Sequence, residues 1–219
     1  MKHYYQDDWV TIYHGDCREI MPELPKADLV LTDIPYGEVN RTSGGLRNLN
    51  KGLADTVTIP TTKLPHLLNS QSVYIFCGTE QISELRKQYV LMGFSTRLCI
   101  WEKTNPSPMN GEYLWLSSIE SCLFARKDGA CFSEHCASPV WRCPTEHTLW
   151  HPTQKPLKLI KRLINASSTE KSIILDPFLG SGTTCVAAKQ LNRHSIGIEM
   201  EEKYCEIAAK RCSQEVLNL

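Results

Sequence analysis

Three short apolar runs in this chain each end in an acidic residue, and this pattern constrains the fold more than any other feature. The runs are ADLVLT, SIIL and SIGI, and the acids that follow them are Asp33, Asp176 and Glu199. Segments with helical periodicity separate the runs, which predicts an α/β fold with a mostly parallel sheet. Ligands bind at the carboxyl edge of such sheets, so we expect the three acids to line one ligand site.

The length of 219 residues predicts a single domain that covers the whole chain, 1–219. Between residues 104 and 150 the regular alternation weakens, and an Asn-Pro-Ser-Pro sequence interrupts it. One further sheet strand is expected at 119–125, whereas 131–150 is expected to be irregular. We interpret 104–150 as an inserted region rather than a separate domain.

Charge and targeting signals exclude several classes of protein. The 24 basic residues balance 24 acidic ones, so the chain is not a bulk polycation, and any contact with nucleic acid must come from a local surface. The sequence has neither a signal-peptide core near its start nor an apolar run of membrane-spanning length. The ten cysteines include no CxxC pair. We therefore expect a cytoplasmic protein with reduced thiols and no membrane partner.

A glycine run at residues 176–184, with the sequence DPFLGSGTT, lies between a predicted strand and a predicted helix. Gly180 and Gly182 allow the backbone to approach a ligand closely. The run lacks the third glycine of a dinucleotide-binding fingerprint, because position 185 is Cys, and it lacks the lysine of a P-loop. With its leading Asp176, the run is more specific than a turn without a ligand.

The sequence DIPY at 33–36 resembles the Asp-Pro-Pro-Tyr motif of amino-methylating DNA methyltransferases, which use S-adenosylmethionine. The glycine run is similar to their methyl-donor loop, and HPTQKP at 151–156 resembles the cofactor segment before it. This order is similar to that of the β group, a circular permutation of the usual chain. Segments 13–17 and 101–106 extend the resemblance over almost the whole sequence. It implies a Rossmann-like methyltransferase fold with a mostly parallel, seven-stranded sheet flanked by helices.

The resemblance assigns the catalytic role to Asp33, Ile34, Pro35 and Tyr36. Asp33 would accept one hydrogen of the exocyclic amine of the target base, and the carbonyl of Ile34 would accept the other. Tyr36 would stack on a base flipped out of the duplex. Ile34 departs from the proline of the family and loses its fixed φ, although it still supplies a carbonyl. An inert module that binds DNA or the cofactor is therefore an alternative.

The resemblance also implies a set of cofactor contacts. Asp176 would lie near the ammonium group of S-adenosylmethionine, Lys155 would face its carboxylate, and Glu199 would hold the ribose hydroxyls. From the residues alone, a solvated Lys155 is a further alternative, and Asp16 could be a helix N-cap. The implied cofactor-binding residues are Asp16, Cys17, Thr153, Lys155, Asp176, Phe178, Gly180, Ser181, Gly182, Thr183 and Glu199.

Double-stranded DNA is the implied substrate, and two regions are candidates to contact it. One is a polar loop at 37–58, and the other is 104–150, the expected target-recognition region. Residues 101–150 carry four basic and six acidic side chains, so they form no basic patch. Either a few side chains read the bases directly, or binding depends on a second subunit. A homodimer and a cognate restriction endonuclease are further partners left open. The candidate DNA-binding residues are Arg41, Arg47, Lys51, Asn105, Arg126, Lys127 and Arg142.

Two further choices concern specificity and metal. Asp33 favours N6 of adenine as the acceptor, because cytosine-N4 enzymes of the family more often have Ser at this position. Cytosine-N4 methylation stays an alternative. The Cys/His-rich stretch that includes Cys131, His135 and Cys136 has the ligand types of a zinc site but no CxxC pair, and we predict no metal.

Overall fold

The computed structural model describes residues 2–35, 61–108, 114–146 and 154–214. The strands in these ranges are β1 (Tyr5–Gln6), β2 (Val10–His14), β3 (Leu29–Asp33), β4 (Ser72–Cys77), β5 (Ser95–Lys103), β6 (Ile119–Arg126), β7 (Val140–Cys143), β8 (Ile173–Asp176) and β9 (His194–Glu199). The helices are α1 (Cys17–Ile20), α2 (Leu64–Leu67), α3 (Thr79–Leu91), α4 (Leu157–Ser167), α5 (Thr183–Gln190) and α6 (Glu202–Ser213), with a 3-10 helix at Met21–Glu23.

The described strands form one sheet in the order β1-β2-β9-β8-β3-β4-β6-β5-β7. From β2 to β4 the neighbours are parallel, whereas β6 runs antiparallel to both β4 and β5. The predicted α/β class with a mostly parallel sheet is confirmed. The expected count of seven strands is wrong for the described residues, because the two-residue β1 and the four-residue β7 extend the sheet at its two edges.

The central strands are buried on both faces, which explains their continuous apolar sequences. In β3, Val30 packs into a cluster with Leu85 of α3, whereas Leu29 and Leu31 pack on the opposite face with Leu163 of α4. Successive strand side chains point to opposite faces, so one run of residues supplies both layers. A third cluster lies between β2 and α6.

The carboxyl ends of the parallel strands meet at one edge of the sheet, which we call the active edge. β3 ends at Asp33, β8 at Asp176 and β9 at Glu199, and β8 lies between the other two strands. The sequence predicted that these three acids share an edge, and the structure places them there on adjacent strands.

Region 104–150 contributes β6 and β7 to the main sheet wherever it is described. The prediction that 131–150 is irregular was wrong for β7, a strand of only four residues that pairs with β5 at the sheet edge. The polar loop predicted at 37–58 lies outside the described residues. All ten cysteines are free thiols. None of the described helices has the length and apolar character to cross a bilayer.

A candidate active site at the carboxyl edge of the sheet

Asp33 meets a buried cation at the end of β3. The ammonium group of Lys155 donates to Oδ2 of Asp33, and it lies 3.1 Å from Oε2 of Glu120, at the start of β6. Lys103, at the end of β5, lies 2.7 Å from the other oxygen of Glu120. Lys155 also sits 5.2 Å from the ring centre of Phe76, and its side chain is only 7% exposed. Four charges of alternating sign therefore line one side of the active edge.

These neighbours keep the buried groups charged. Burial alone would lower the pKa of Lys155, but the carboxylates of Asp33 and Glu120 outweigh it and raise the pKa above its usual value. Burial alone would raise the pKa of Glu120, but Lys155 and Lys103 together lower it below its usual value. At neutral pH, Lys155 is thus an ammonium and Glu120 a carboxylate.

The backbone after Asp33 is held against β4 and α3. The amide of Ile34 donates to the carbonyl of Phe76 at 3.1 Å, and Ile34 is 2% exposed. The carbonyl of Pro35 accepts from Nε2 of Gln81 at 3.0 Å, and Oε1 of Gln81 accepts from the amide of Gly78 at 2.9 Å. Gln81 therefore fixes the turn that follows Asp33, a role the sequence did not indicate. Tyr36 lies outside the described residues.

Asp176 ties the glycine run to β3. Its carboxylate accepts from the hydroxyl of Thr32 at 2.8 Å, from the hydroxyl of Thr184 at 2.6 Å and from the amide of Phe178 at 3.2 Å. Burial raises the pKa of Asp176 to about 6, although these hydrogen bonds favour the ionised form. Since Thr32 precedes Asp33, the hydrogen bond between Thr32 and Asp176 joins the glycine run to the strand that carries Asp33.

Glu199 holds the middle of the glycine run from the neighbouring strand. Its two carboxylate oxygens accept from the amides of Gly180 at 2.7 Å and Glu201 at 2.9 Å. Burial raises the pKa of Glu199 above its usual value. Gly182 has φ +85°, and a Cβ there would lie 2.7 Å from Cβ of Ala208 in α6. The close approach expected at Gly182 is therefore, in this structure, an approach to a helix.

Two consecutive side chains bridge the parts of the site. Gln154 accepts from the hydroxyl of Ser181 at 2.8 Å, while the next residue, Lys155, pairs with Asp33. Arg211 of α6 also donates to the carbonyl of Ser181 at 2.6 Å and to Oε1 of Gln154 at 3.1 Å. The sequence did not indicate Arg211 as a site residue, because its place in the last turn of a charged helix resembles that of a solvated side chain.

We call Asp33, Ile34, Lys155 and Glu120 the acceptor half, and the glycine run with Glu199 the donor half.

The segment before α1 also reaches Glu199. The amide of Gly15 donates to the carbonyl of Glu199 at 2.9 Å, and this places Asp16 and Cys17 beside the donor half. The carboxylate of Asp16 accepts from the amide of Arg18 at 2.8 Å and pairs with its guanidinium, so Asp16 is the N-cap of α1. Cys17 is buried.

Two threonines were also predicted to bind the cofactor. Thr153 lies outside the described residues, and the hydroxyl of Thr183 lies 3.2 Å from Arg211.

The predicted DNA-binding residues divide between two edges of the sheet. Arg126 is the last residue of β6 and Lys127 follows it; since β6 runs antiparallel to β4, both lie at the edge opposite Asp33. The eight residues of β6 span roughly 25 Å. The structure thus does not bring Arg126 and Lys127 together with the acceptor half. The sequence could not predict this, because the direction of a strand in a sheet cannot be read from its own residues.

Asn105 and Arg142 do lie toward the active edge. Oδ1 of Asn105 accepts from the amide of Thr145 at 2.7 Å, and Arg142 pairs with Glu102 at 2.8 Å while remaining 72% exposed. Arg41, Arg47 and Lys51 lie outside the described residues. No three His, Cys, Asp or Glu side chains in the described ranges are grouped to hold a metal ion.

The donor half has the chemistry to hold S-adenosylmethionine. A carboxylate oxygen can accept two hydrogen bonds, so Glu199 retains acceptor capacity for ribose hydroxyls. Oε1 of Glu201 is buried and has no hydrogen-bond partner among the described residues. Asp176 supplies negative charge near the position expected for an ammonium group. These acceptors fit a cationic ligand that carries hydroxyl groups.

Comparisons with known proteins point to one family. Residues 27–210 match the family described as DNA methylase. Type II methyltransferase M2.DpnII of Streptococcus pneumoniae is 30% identical over 98% of this chain and 93% of that protein. The crystal structure of the M1.HpyAVI–SAM complex has a TM-score of 0.72 at 29% identity and covers 94% of this chain and 100% of that one. The cytosine-N4-specific PvuII DNA methyltransferase shares the fold, with a TM-score of 0.76 at 15% identity over 99% of this chain and 91% of that one.

Proposed function

Because this chain belongs to the DNA methylase family, we propose that it methylates N6 of adenine in double-stranded DNA. It is a DNA methyltransferase and uses S-adenosylmethionine, which supplies an electrophilic methyl group when bound. The proposal extends to the acceptor base, to base flipping and to the residues that act on the base.

One observation carries the proposal: β3, which ends in Asp33, is the sheet neighbour of β8, which leads into the glycine run. The bond between Thr32 and Asp176 and the bridge formed by Gln154 and Lys155 join the same two halves. A base held at Asp33 and a cofactor held at the glycine run would therefore meet across one cleft.

The chemistry follows from the weakness of the nucleophile. The lone pair of an exocyclic amine is delocalised into the ring, so the nitrogen must be held and polarised before it attacks a methyl group. In the proposed site, Asp33 accepts one amine hydrogen and the carbonyl of Ile34 accepts the other. Both bonds stabilise the positive charge that develops on nitrogen in the transition state, which is electrostatic preorganisation rather than prior deprotonation.

The target base must leave the duplex to reach this edge, and we assign its stacking to Tyr36. Flipping is required because the amine of a paired base cannot reach a pocket at the end of a strand. Stacking on an aromatic ring contributes about 1–3 kcal/mol per base. Ile34 keeps the carbonyl that the chemistry needs, and its amide bond to Phe76 fixes the chain at this position.

Asp33 favours adenine over cytosine, by the residue preference described for the family. Cytosine-N4 methylation is the second candidate, since the PvuII enzyme of that specificity shares the fold. That likeness, at 15% identity, bears on the fold alone. The inert binding module is the third candidate, and it rests on Ile34.

For DNA contacts, we propose the active-edge part of region 104–150, with Asn105 and Arg142, as the surface that reads the target. The basic residues Arg41, Arg47 and Lys51 stay predicted phosphate contacts. A homodimer, a cognate restriction endonuclease and a cytoplasmic location also stay predictions.

The deciding experiment incubates the purified protein with unmodified plasmid DNA and S-adenosylmethionine, digests the DNA and identifies the nucleosides by mass spectrometry. We expect N6-methyladenine. Detection of N4-methylcytosine alone would contradict the adenine assignment. Cofactor binding without any methylated nucleoside would favour the inert module.

A further inference from the structure

In the acceptor half, Lys155 and Glu120 form ion pairs that lead to Asp33. Lys155 and Glu120 lie 35 positions apart in sequence, yet Nζ of Lys155 contacts carboxylate oxygens of both Glu120 and Asp33. The family resemblance placed Lys155 at the cofactor carboxylate. It assigned no role to Glu120.

The surroundings of Lys155 explain why this arrangement is specific. The ammonium group is buried above the ring of Phe76, where an uncompensated charge would be costly. Glu120 is 20% exposed, and its second oxygen is held by Lys103. Thus Lys103 fixes Glu120, Glu120 fixes Lys155, and Lys155 engages one oxygen of Asp33.

We propose that Lys155 and Glu120 are positioning residues that orient Asp33 and set its strength as a hydrogen-bond acceptor for the target amine. The proposal rests on the proposed function, because it concerns the residue that would hold the amine. Lys155 fixes Oδ2 of Asp33. A carboxylate has about four acceptor positions, so this contact leaves capacity for the amine hydrogen.

The balance of charge determines the acceptor strength. The group of Lys103, Glu120, Lys155 and Asp33 carries two positive and two negative charges. If Glu120 were neutral, Lys155 would act on Asp33 alone and would weaken its attraction for a nitrogen that becomes positive. If Lys155 were absent, the carboxylates of Asp33 and Glu120 would repel each other, and this repulsion would turn Asp33 away from the amine.

This reasoning predicts a specific double-mutant cycle. We expect Glu120→Gln to lower kcat about tenfold, equivalent to about 1.4 kcal/mol, and Lys155→Met to lower it about a hundredfold. The double variant restores the charge balance of the group, so it should recover about tenfold over Lys155→Met. The dissociation constant for S-adenosylmethionine and the KM for DNA should change less than about twofold in each variant.

The measurements are steady-state transfer from labelled S-adenosylmethionine to unmodified plasmid DNA, and calorimetric titration with S-adenosylmethionine. Glu134→Gln is the matched control, because it neutralises the partner of the half-exposed Arg162 ion pair, far from Asp33 along the chain. This control should keep the kcat of the wild type.

The outcomes separate this proposal from the proposed function. Recovery in the double variant with unchanged cofactor affinity supports the positioning role. A double variant no more active than Lys155→Met would overturn it, as would weakened cofactor binding at unchanged kcat. If Lys155→Met does not fold, Glu120→Gln decides: a tenfold lower kcat supports the role, and an unchanged kcat overturns it. Absence of transfer by the wild type refutes the proposed function itself.

Discussion

The two halves of the site are held by different forces. In the acceptor half, Asp33 is positioned by charged side chains from three distant segments, through Lys155, Glu120 and Lys103. In the donor half, the partners of the Asp176 and Glu199 carboxylates among the described residues are hydroxyls and backbone amides. The position of Asp33 should therefore depend on the charges of its partners, whereas the donor half should be sensitive to changes of shape.

The largest effect is expected from Asp33→Asn, which removes the charge of the acceptor half but keeps its shape. We expect transfer to fall by about 10²- to 10⁴-fold, because the carboxylate no longer stabilises the developing positive charge. Cofactor affinity, measured by calorimetric titration, should stay within about twofold. A large loss of cofactor binding in this variant would show that the two halves are not separable.

Gly182→Ala tests the donor half by shape alone. The new Cβ would meet Ala208 at 2.7 Å, in a backbone with φ +85°. Backbone strain and overpacking each cost about 1–3 kcal/mol, so we expect the free energy of unfolding to fall by about 3 kcal/mol. Gly93→Ala is the control, since Gly93 has φ +81° but no atom within 4 Å of the added Cβ. It should cost only about 1 kcal/mol. Equal losses in the two variants would remove the packing explanation.

The pH dependence of stability tests the cost of the buried charge in the donor half. Burial raises the pKa of Asp176 from its usual 3.8 to about 6, so the folded chain binds this proton more tightly than the unfolded chain. Its stabilising contribution is complete below about pH 4 and is lost as the pH rises through 6. Chemical denaturation should show the free energy of unfolding of the wild type, relative to Asp176→Asn, falling by about 2 kcal/mol from pH 4 to pH 7. Parallel curves would contradict the raised pKa.

The smallest effect concerns DNA contacts near the acceptor half. Arg142 lies toward the active edge, whereas Arg126 lies at the opposite edge. Arg142→Gln should reduce the slope of log affinity against log salt by about 1, as expected for one lost phosphate contact. Arg126→Gln should leave the slope unchanged. Fluorescence anisotropy with duplex DNA over a salt series measures both, and the reverse result would place the DNA at the opposite edge.

The sequence was most informative where chemistry follows directly from local pattern. Apolar runs that end in acids located Asp33, Asp176 and Glu199, since a buried strand and its polar end are adjacent in the chain. β7 was missed because four residues at a sheet edge carry too little periodicity. Arg126 was predicted to contact DNA, and its place at the edge opposite Asp33 could not be foreseen, because antiparallel pairing depends on the neighbouring strand.

Long-range contacts could not be predicted from the sequence for a similar reason. The pairing of Lys155 with Asp33 joins residues 122 positions apart, and no local signal marks it. Arg211 binds Ser181 from a helix whose sequence is typical of a charged surface. Gly182 was predicted to let the backbone approach a ligand, but the neighbour that requires glycine in this structure is Ala208, and only the packing of α6 reveals it.

The central claim is that Asp33 and the glycine run face each other across one cleft. A crystal structure of the protein with S-adenosylmethionine tests it most directly. The account predicts ribose hydroxyls at Glu199 and the sulfonium methyl directed toward the carboxylate of Asp33. A cofactor bound at Glu199 with its methyl group directed away from Asp33, or bound outside this edge of the sheet, would contradict it.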